Sequence, residues 1–203
     1  MKTNLSFNLT ILLTLSTFLL KAQGYQPGDK ALNFNLKNVD GRMVSLASDP
    51  KAKGYIVVFT CNTCPVAQSY EDRVVALHQK YAGLGYPVVA INPNDASRST
   101  GDDAAHMKQR AEAKKYGFAY LTDATQEVAR AYGALRTPHV YVVQRVGSDW
   151  LVRYVGAIDN NSGDADGASK KFVAEAVDAL LADRPVPTAA TKAIGCGIKW
   201  KTT

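Results

Sequence analysis

The sequence predicts an α/β domain: a mixed central sheet flanked by helices, fronted by an N-terminal hairpin and closed by a C-terminal tail. Three observations predict it. Continuous apolar, β-branched runs recur at Tyr55 to Thr60, Val88 to Ile91 and Val140 to Val143, as in strands buried on both faces. Helical segments alternate with these runs, the pattern of a layered domain with parallel strands. A turn signal at Gly147-Ser148 folds Trp150 to Val155 back on the third run, which makes the sheet mixed.

Each element has its own local reason. Leu32 to Leu36 and Met43 to Leu46 read as a hairpin turning at Asp40-Gly41. Over Val66 to Tyr81, Tyr70, Val74, Leu77 and Tyr81 recur at helical spacing, with Glu71, Asp72, Arg73 and Lys80 elsewhere on the wheel. Ala104 to Tyr116 is a polar helix with Gly117 as its stop. Phe118 to Leu121 is a short strand, and Thr125 to Tyr132 a short helix closed by Gly133. Lys170 to Leu181 places Phe172, Val173, Ala176, Val177, Leu180 and Leu181 on one side and ends before Pro185. Asp159 to Gly167 is an acidic, glycine-rich surface loop. Its acidic residues lack the glycine and glutamate spacing of an EF-hand. Residues 185–203 form a tail without clear periodicity.

Composition bounds the function. The chain has 203 residues, of which 46% are hydrophobic and 21% charged, so a buried core is affordable and disorder is excluded for the bulk. The formal charge of +6 is spread along the chain. No Lys/Arg block tracks a phosphate backbone, so nucleic acid is not an expected partner. Residues 1–22 read as a secretory signal: Lys2, an apolar core from Leu9 to Leu20, and Ala22 before Gln23-Gly24. That core of about a dozen residues is too short to span a bilayer. The expected protein is therefore secreted or periplasmic, without a membrane anchor after cleavage. The sequence divides into a signal peptide (1–22), one domain (23–184) and the tail (185–203), with no internal repeat. It leaves the oligomeric state open.

Cys61-Asn62-Thr63-Cys64 lies between the most apolar strand and the first long helix. A thiolate at a helix start is stabilised by free backbone N–H groups and the helix dipole. The spacing predicts an exposed Cys61 at the strand end and Cys64 one turn into the helix, within disulfide reach. Cys61 then attacks a disulfide sulfur and Cys64 resolves the mixed disulfide. A structural disulfide also suits an exported protein. Zinc would want a second Cys/His pair, and Cys196, His78, His106 and His139 show no matching spacing. The strand–CxxC–helix context favours the redox reading. Pro65 after Cys64, where haem attachment needs His, excludes a c-type haem.

Arg136-Thr137-Pro138 directly precedes the strand His139 to Gln144, where a proline is normally unwelcome. With the Cys61-Asn62-Thr63-Cys64-Pro65 segment, these residues resemble the thioredoxin superfamily. The resemblance is greatest to exported redoxins of the AhpC/TSA and TlpA/ResA-like group, and covers Gln26 to Arg184. It implies a thioredoxin-like fold and a cis peptide bond at Thr137-Pro138, facing the CxxC. The backbone before that proline would pair with an extended substrate segment. The implied activity is thiol–disulfide exchange on disulfide- or thiol-bearing proteins or small thiols, with an upstream redox partner. No organic cofactor and no metal are implied, since electrons reside in a Cys61–Cys64 couple.

The sequence departs from the group in places. Phe59-Thr60 stands where thioredoxins carry tryptophan before the CxxC. The peroxiredoxin Pro-x-x-x-Thr/Ser-x-x-Cys motif is absent, with Gly54 and Val58 at its positions before Cys61. Peroxide reduction is thus an alternative, with Arg136 as a candidate supporter of the thiolate. A copper(I)-binding module using two cysteines and His139 is a second alternative. His139 is otherwise a tuning or substrate-groove side chain. Cys196 is either a third redox thiol or a small buried residue in a tail held by Ile198 and Trp200. Asp95 is the nearest candidate for a buried proton acceptor.

Overall fold

The computed structural model describes residues 24–202. The segment read as a signal peptide lies outside the described residues. A seven-stranded sheet forms the centre. In chain order the elements are β1 (Asn35–Asn38), β2 (Met43–Ser45), β3 (Gly54–Phe59), α1 (Pro65–Tyr81), β4 (Val88–Asn92), α2 (Ala104–Ala113), β5 (Ala119–Thr122), α3 (Glu127–Tyr132), β6 (Arg136–Thr137), β7 (His139–Val146), β8 (Asp149–Gly156), α4 (Phe172–Leu181) and β9 (Cys196–Gly197).

The spatial order is β2-β1-β5-β4-β3-β7-β8. β5, β4 and β3 run parallel, and the hairpins β1–β2 and β7–β8 flank them antiparallel. All six residues of β3 are buried, because it lies inside the sheet with both faces covered. Side-chain alternation divides it between two cores. Tyr55, Val57 and Phe59 join Phe34, Tyr132, Tyr141 and Trp150 on one face. Ile56 and Val58 join Tyr70, Val74, Tyr81, Val173 and Val177, from α1 and α4, on the other.

Buried ion pairs set the helices. Glu71 on α1 is 5% exposed and takes both arms of the fork from Arg110 on α2, at 2.6 and 2.9 Å. Asp159 accepts from Tyr70 and Arg73 of α1, at 2.9 and 2.7 Å. This corrects the reading of Asp159 to Gly167 as wholly surface: its first residue is a buried anchor, 3% exposed.

One other expectation shifts. α2 ends at Ala113, ahead of the Gly117 stop, because Lys115 turns to positive φ (53°). That turn lets Tyr116 and Phe118 stack, with centroids 4.6 Å apart. The tail is held, as Ile198 and Trp200 suggested: Ile198 is buried in the core and Trp200 packs against it. Thr191 and Ala189 bond to the backbone of Val155, and β9 pairs antiparallel with β6.

Candidate active site

The strand–helix junction places the cysteines differently from the sequence reading. Cys64 is the N-cap of α1, not a residue inside it: its backbone is extended, Pro65 occupies the first helical position, and its Sγ accepts the Ala67 N–H at 3.4 Å. Cys61 sits in the preceding turn and is 3% exposed, as is Cys64. The expected exposure of Cys61 is overturned: its Sγ lies against buried Thr137, and it clusters with Cys64 and Ala67, against which Cys196 packs.

The disulfide joins Cys64 to Cys196, with Cα atoms 5.9 Å apart, and Cys61 is a free thiol. The oxidised pair shown is therefore not Cys61–Cys64, and Cys196 is not merely a small packing residue. The physical reason is strand pairing: Cys196 lies opposite Thr137 in the β6–β9 ladder, which presents its side chain to the N-cap of α1.

Thr137 is the meeting point. It is fully buried, and its peptide bond to Pro138 is cis. Its Oγ1 lies 3.2 Å from Cys61 Sγ, within hydrogen-bond reach, and its carbonyl oxygen lies 3.2 Å from Cys64 Sγ. Burial pushes the Cys61 thiol up. The Thr137 hydroxyl and the N–H groups of Cys64 and Thr63 pull the other way, and the Asp102 carboxylate adds to the rise. With the tail docked, Cys61 is thus a protonated, shielded thiol, contrary to the helix-start expectation.

Asp102 is the residue that sequence reasoning missed. It is 2% exposed and accepts five hydrogen bonds: Asn62 N (2.7 Å), Thr63 Oγ1 (2.9 Å), Asn92 Nδ2 (3.0 Å), Asn94 Nδ2 (2.9 Å) and Ser99 Oγ (2.5 Å). Burial opposes its charge, but these donors outweigh burial and hold the carboxyl below its ordinary value. The network fixes the turn between the cysteines. Asn62 also donates to Gly101 O at 2.8 Å and accepts from Tyr120 at 3.0 Å. Asp95, the earlier candidate, caps its own turn through Ser97, and its N–H donates to Lys199 O.

The remaining candidates have structural engagements. Arg136 is exposed, and its guanidinium donates to Gly195 O at 3.2 Å, in the tail rather than at Cys61. His139 is 8% exposed and packs on Tyr141, with its Nδ1 3.4 Å from the Leu135 N–H. Burial lowers its pKa to about 4, so it is neutral at physiological pH and supplies no cation for a thiolate. Among the described residues, no three His, Cys, Asp or Glu side chains converge as a metal set.

Known proteins bear on this arrangement. A crystal structure of an uncharacterized conserved protein from Geobacillus kaustophilus is 38% identical, with a TM-score of 0.81, covering 88% of this chain and 94% of that one. A hypothetical protein from Sinorhizobium meliloti 1021 is 32% identical, with a TM-score of 0.82, covering 89% and 98%. A thiol:disulfide interchange protein of the thioredoxin family from Chlorobium tepidum TLS is 25% identical, with a TM-score of 0.54, covering 71% and 94%. No curated protein matches the chain. Residues 27–149, more than half of the chain, match the AhpC/TSA family. By that match, and by a mixed sheet with the cysteine pair at a strand–helix junction, the protein belongs to the AhpC/TSA family and has a thioredoxin-like fold.

Proposed function

We propose that the protein is a thiol–disulfide oxidoreductase in which Cys61 is the nucleophile and Cys64 the resolving thiol. The observation that carries this reading is the convergence of Cys61, Cys64 and Cys196 on the single buried residue Thr137. Two of the three sulfurs are joined and the third is a thiol, which is the composition of an exchange site. The electrons reside in the cysteines, so the chemistry calls for no organic cofactor. Substrates on this reading are disulfide- or thiol-bearing proteins or small thiols, and a separate redox partner recycles the site.

Export fits the signal-like residues 1–22, and no helix among the described residues is long and apolar enough to cross a membrane. The purified reduced protein, supplied with a dithiol, is expected to reduce a disulfide-bonded protein substrate repeatedly. Cys61→Ser and Cys64→Ser are each expected to abolish turnover. Undiminished turnover in either variant would refute the assignment.

A further inference from the structure

The tail binds the domain as an extended peptide ligand binds a sheet edge, through its main chain. β9 pairs with Arg136 and Thr137, and Gly195 comes so close that a Cβ there would overlap the Thr137 carbonyl oxygen. Lys199 donates its N–H to Asn94 Oδ1 at 2.9 Å, and its carbonyl accepts from Asp95 N and Gln126 Nε2, both at 2.9 Å. Arg98 donates to Trp200 O at 2.6 Å, and the Arg130 guanidinium lies 4.4 Å from the Trp200 ring centre. Ile198 is 6% exposed and belongs to the core of that face. This strap holds Cys196 against Cys64 while Cys61 stays within reach of the same threonine. Cys64 is therefore adjacent to both other cysteines.

We propose that Cys196 is a third catalytic thiol, which receives the disulfide from the Cys61–Cys64 pair and parks it on the strap. The step rests on the thiol–disulfide reading above. After a client disulfide has been reduced, Cys61 and Cys64 share a disulfide. The Cys196 thiolate attacks Cys64 Sγ, the Cys64–Cys196 bond forms and the Cys61–Cys64 bond breaks. Cys61 leaves as thiolate and takes a proton from water, replacing the one Cys196 released. No net oxidation occurs. The product is the state seen here: Cys61 a thiol, Cys64 bonded to Cys196 and the groove along Thr137 filled by the strap.

Two features favour this direction. The docked backbone raises the effective concentration of Cys196 at Cys64. Burial keeps the released Cys61 protonated, which slows its return attack. The filled groove excludes a second client until an external dithiol reduces Cys64–Cys196. Cys196 is the least buried of the three cysteines, and so the accessible end of the relay.

Disulfide mapping tests the relay. The fully reduced chain is mixed with one equivalent of a synthetic peptide bearing an intramolecular disulfide. It is quenched in acid at increasing times, alkylated and mapped by mass spectrometry. Cys61–Cys64 is expected first, giving way to Cys64–Cys196, with Trp200 emission changing in the second phase. In Cys196→Ser the reaction is expected to stop at Cys61–Cys64. In Cys61→Ser, Cys64–Cys196 is expected to form at least about tenfold more slowly, since no Cys61–Cys64 donor precedes it. A wild-type reaction that ends at Cys61–Cys64, or one in which Cys61→Ser forms Cys64–Cys196 at the wild-type rate, overturns the relay and leaves the oxidoreductase reading standing. Failure of the reduced chain to react with the peptide disulfide overturns that reading itself.

Discussion

Replacing Asp102 by Asn tests the network behind the cysteine turn. In the wild type, Oδ1 accepts from Asn62 N and Asn92 Nδ2, while Oδ2 accepts from Thr63, Ser99 and Asn94. The least costly placement puts the new NH₂ at the Oδ2 position. The Thr63 and Ser99 hydroxyls can then rotate and accept, which leaves the Asn94 amide facing a donor. One buried unmatched donor, plus the loss of charge-assisted bonding, sums to about 2–4 kcal/mol of destabilisation. Removing the carboxylate also removes a charge that raises the Cys61 thiol, so the Cys61 pKa is expected to fall.

Urea unfolding measures the first effect. Thiolate absorbance of the Cys64–Cys196 form, in which Cys61 is the one free cysteine, measures the second. The Asp102 carboxyl is held below its ordinary value of 3.8, so its stabilisation is fully present above that pH and is lost as pH falls through the lower native pKa. The stability gap between wild type and variant should therefore close in strong acid. A variant as stable as wild type, or one with a higher Cys61 pKa, would refute the reasoning.

Other expectations follow from the same geometry. Gly195→Ala places a methyl group against Thr137 backbone, so the β6–β9 pairing should open; limited proteolysis of the tail is expected to accelerate, and unchanged protection would count against strap docking. His139, with a native pKa near 4 against 6.5 in solution, should show no NMR titration between about pH 6 and 8. Since its charged form is disfavoured in the fold, it contributes up to about 3 kcal/mol above pH 6.5, lost as pH falls toward about 4; His139→Gln should flatten that part of the stability–pH curve. Cys61 should react with hydrogen peroxide no faster than an ordinary thiol, because its pKa is raised and Arg136 is turned to Gly195 O; fast consumption in stopped flow that Arg136→Ala abolishes would contradict this.

The sequence was most informative where chemistry leaves a local signature. The doubly buried strands read directly as apolar runs, and Cys61-Asn62-Thr63-Cys64 followed by Pro65 marked the strand–helix junction. Asp102 was not legible, because Gly101-Asp102-Asp103 offers two adjacent carboxylates in a polar loop. One of them, Asp103, is an ordinary N-cap with its side chain on Ala105 and His106, and only the fold turns the other inward. Ile198 and Trp200 marked the tail as held, but its strand pairing with β6 was hidden for a different reason. Lys199 and Gly195 are held through their main chain, which leaves no side-chain periodicity to read. The burial of Cys61 was equally hidden, because it rests on long-range contact with Thr137 and the cluster that Cys196 joins.

A trapped mixed disulfide distinguishes the roles of Cys61 and Cys64. The Cys64→Ser chain, reduced and exposed to a disulfide-bonded protein substrate, is expected to accumulate a covalent adduct at Cys61, visible on a non-reducing gel and dispersed by dithiothreitol. Cys61→Ser should accumulate none. An adduct formed by Cys61→Ser alone would reverse the roles of the two cysteines, and the absence of an adduct in both variants would contradict thiol–disulfide exchange at this site.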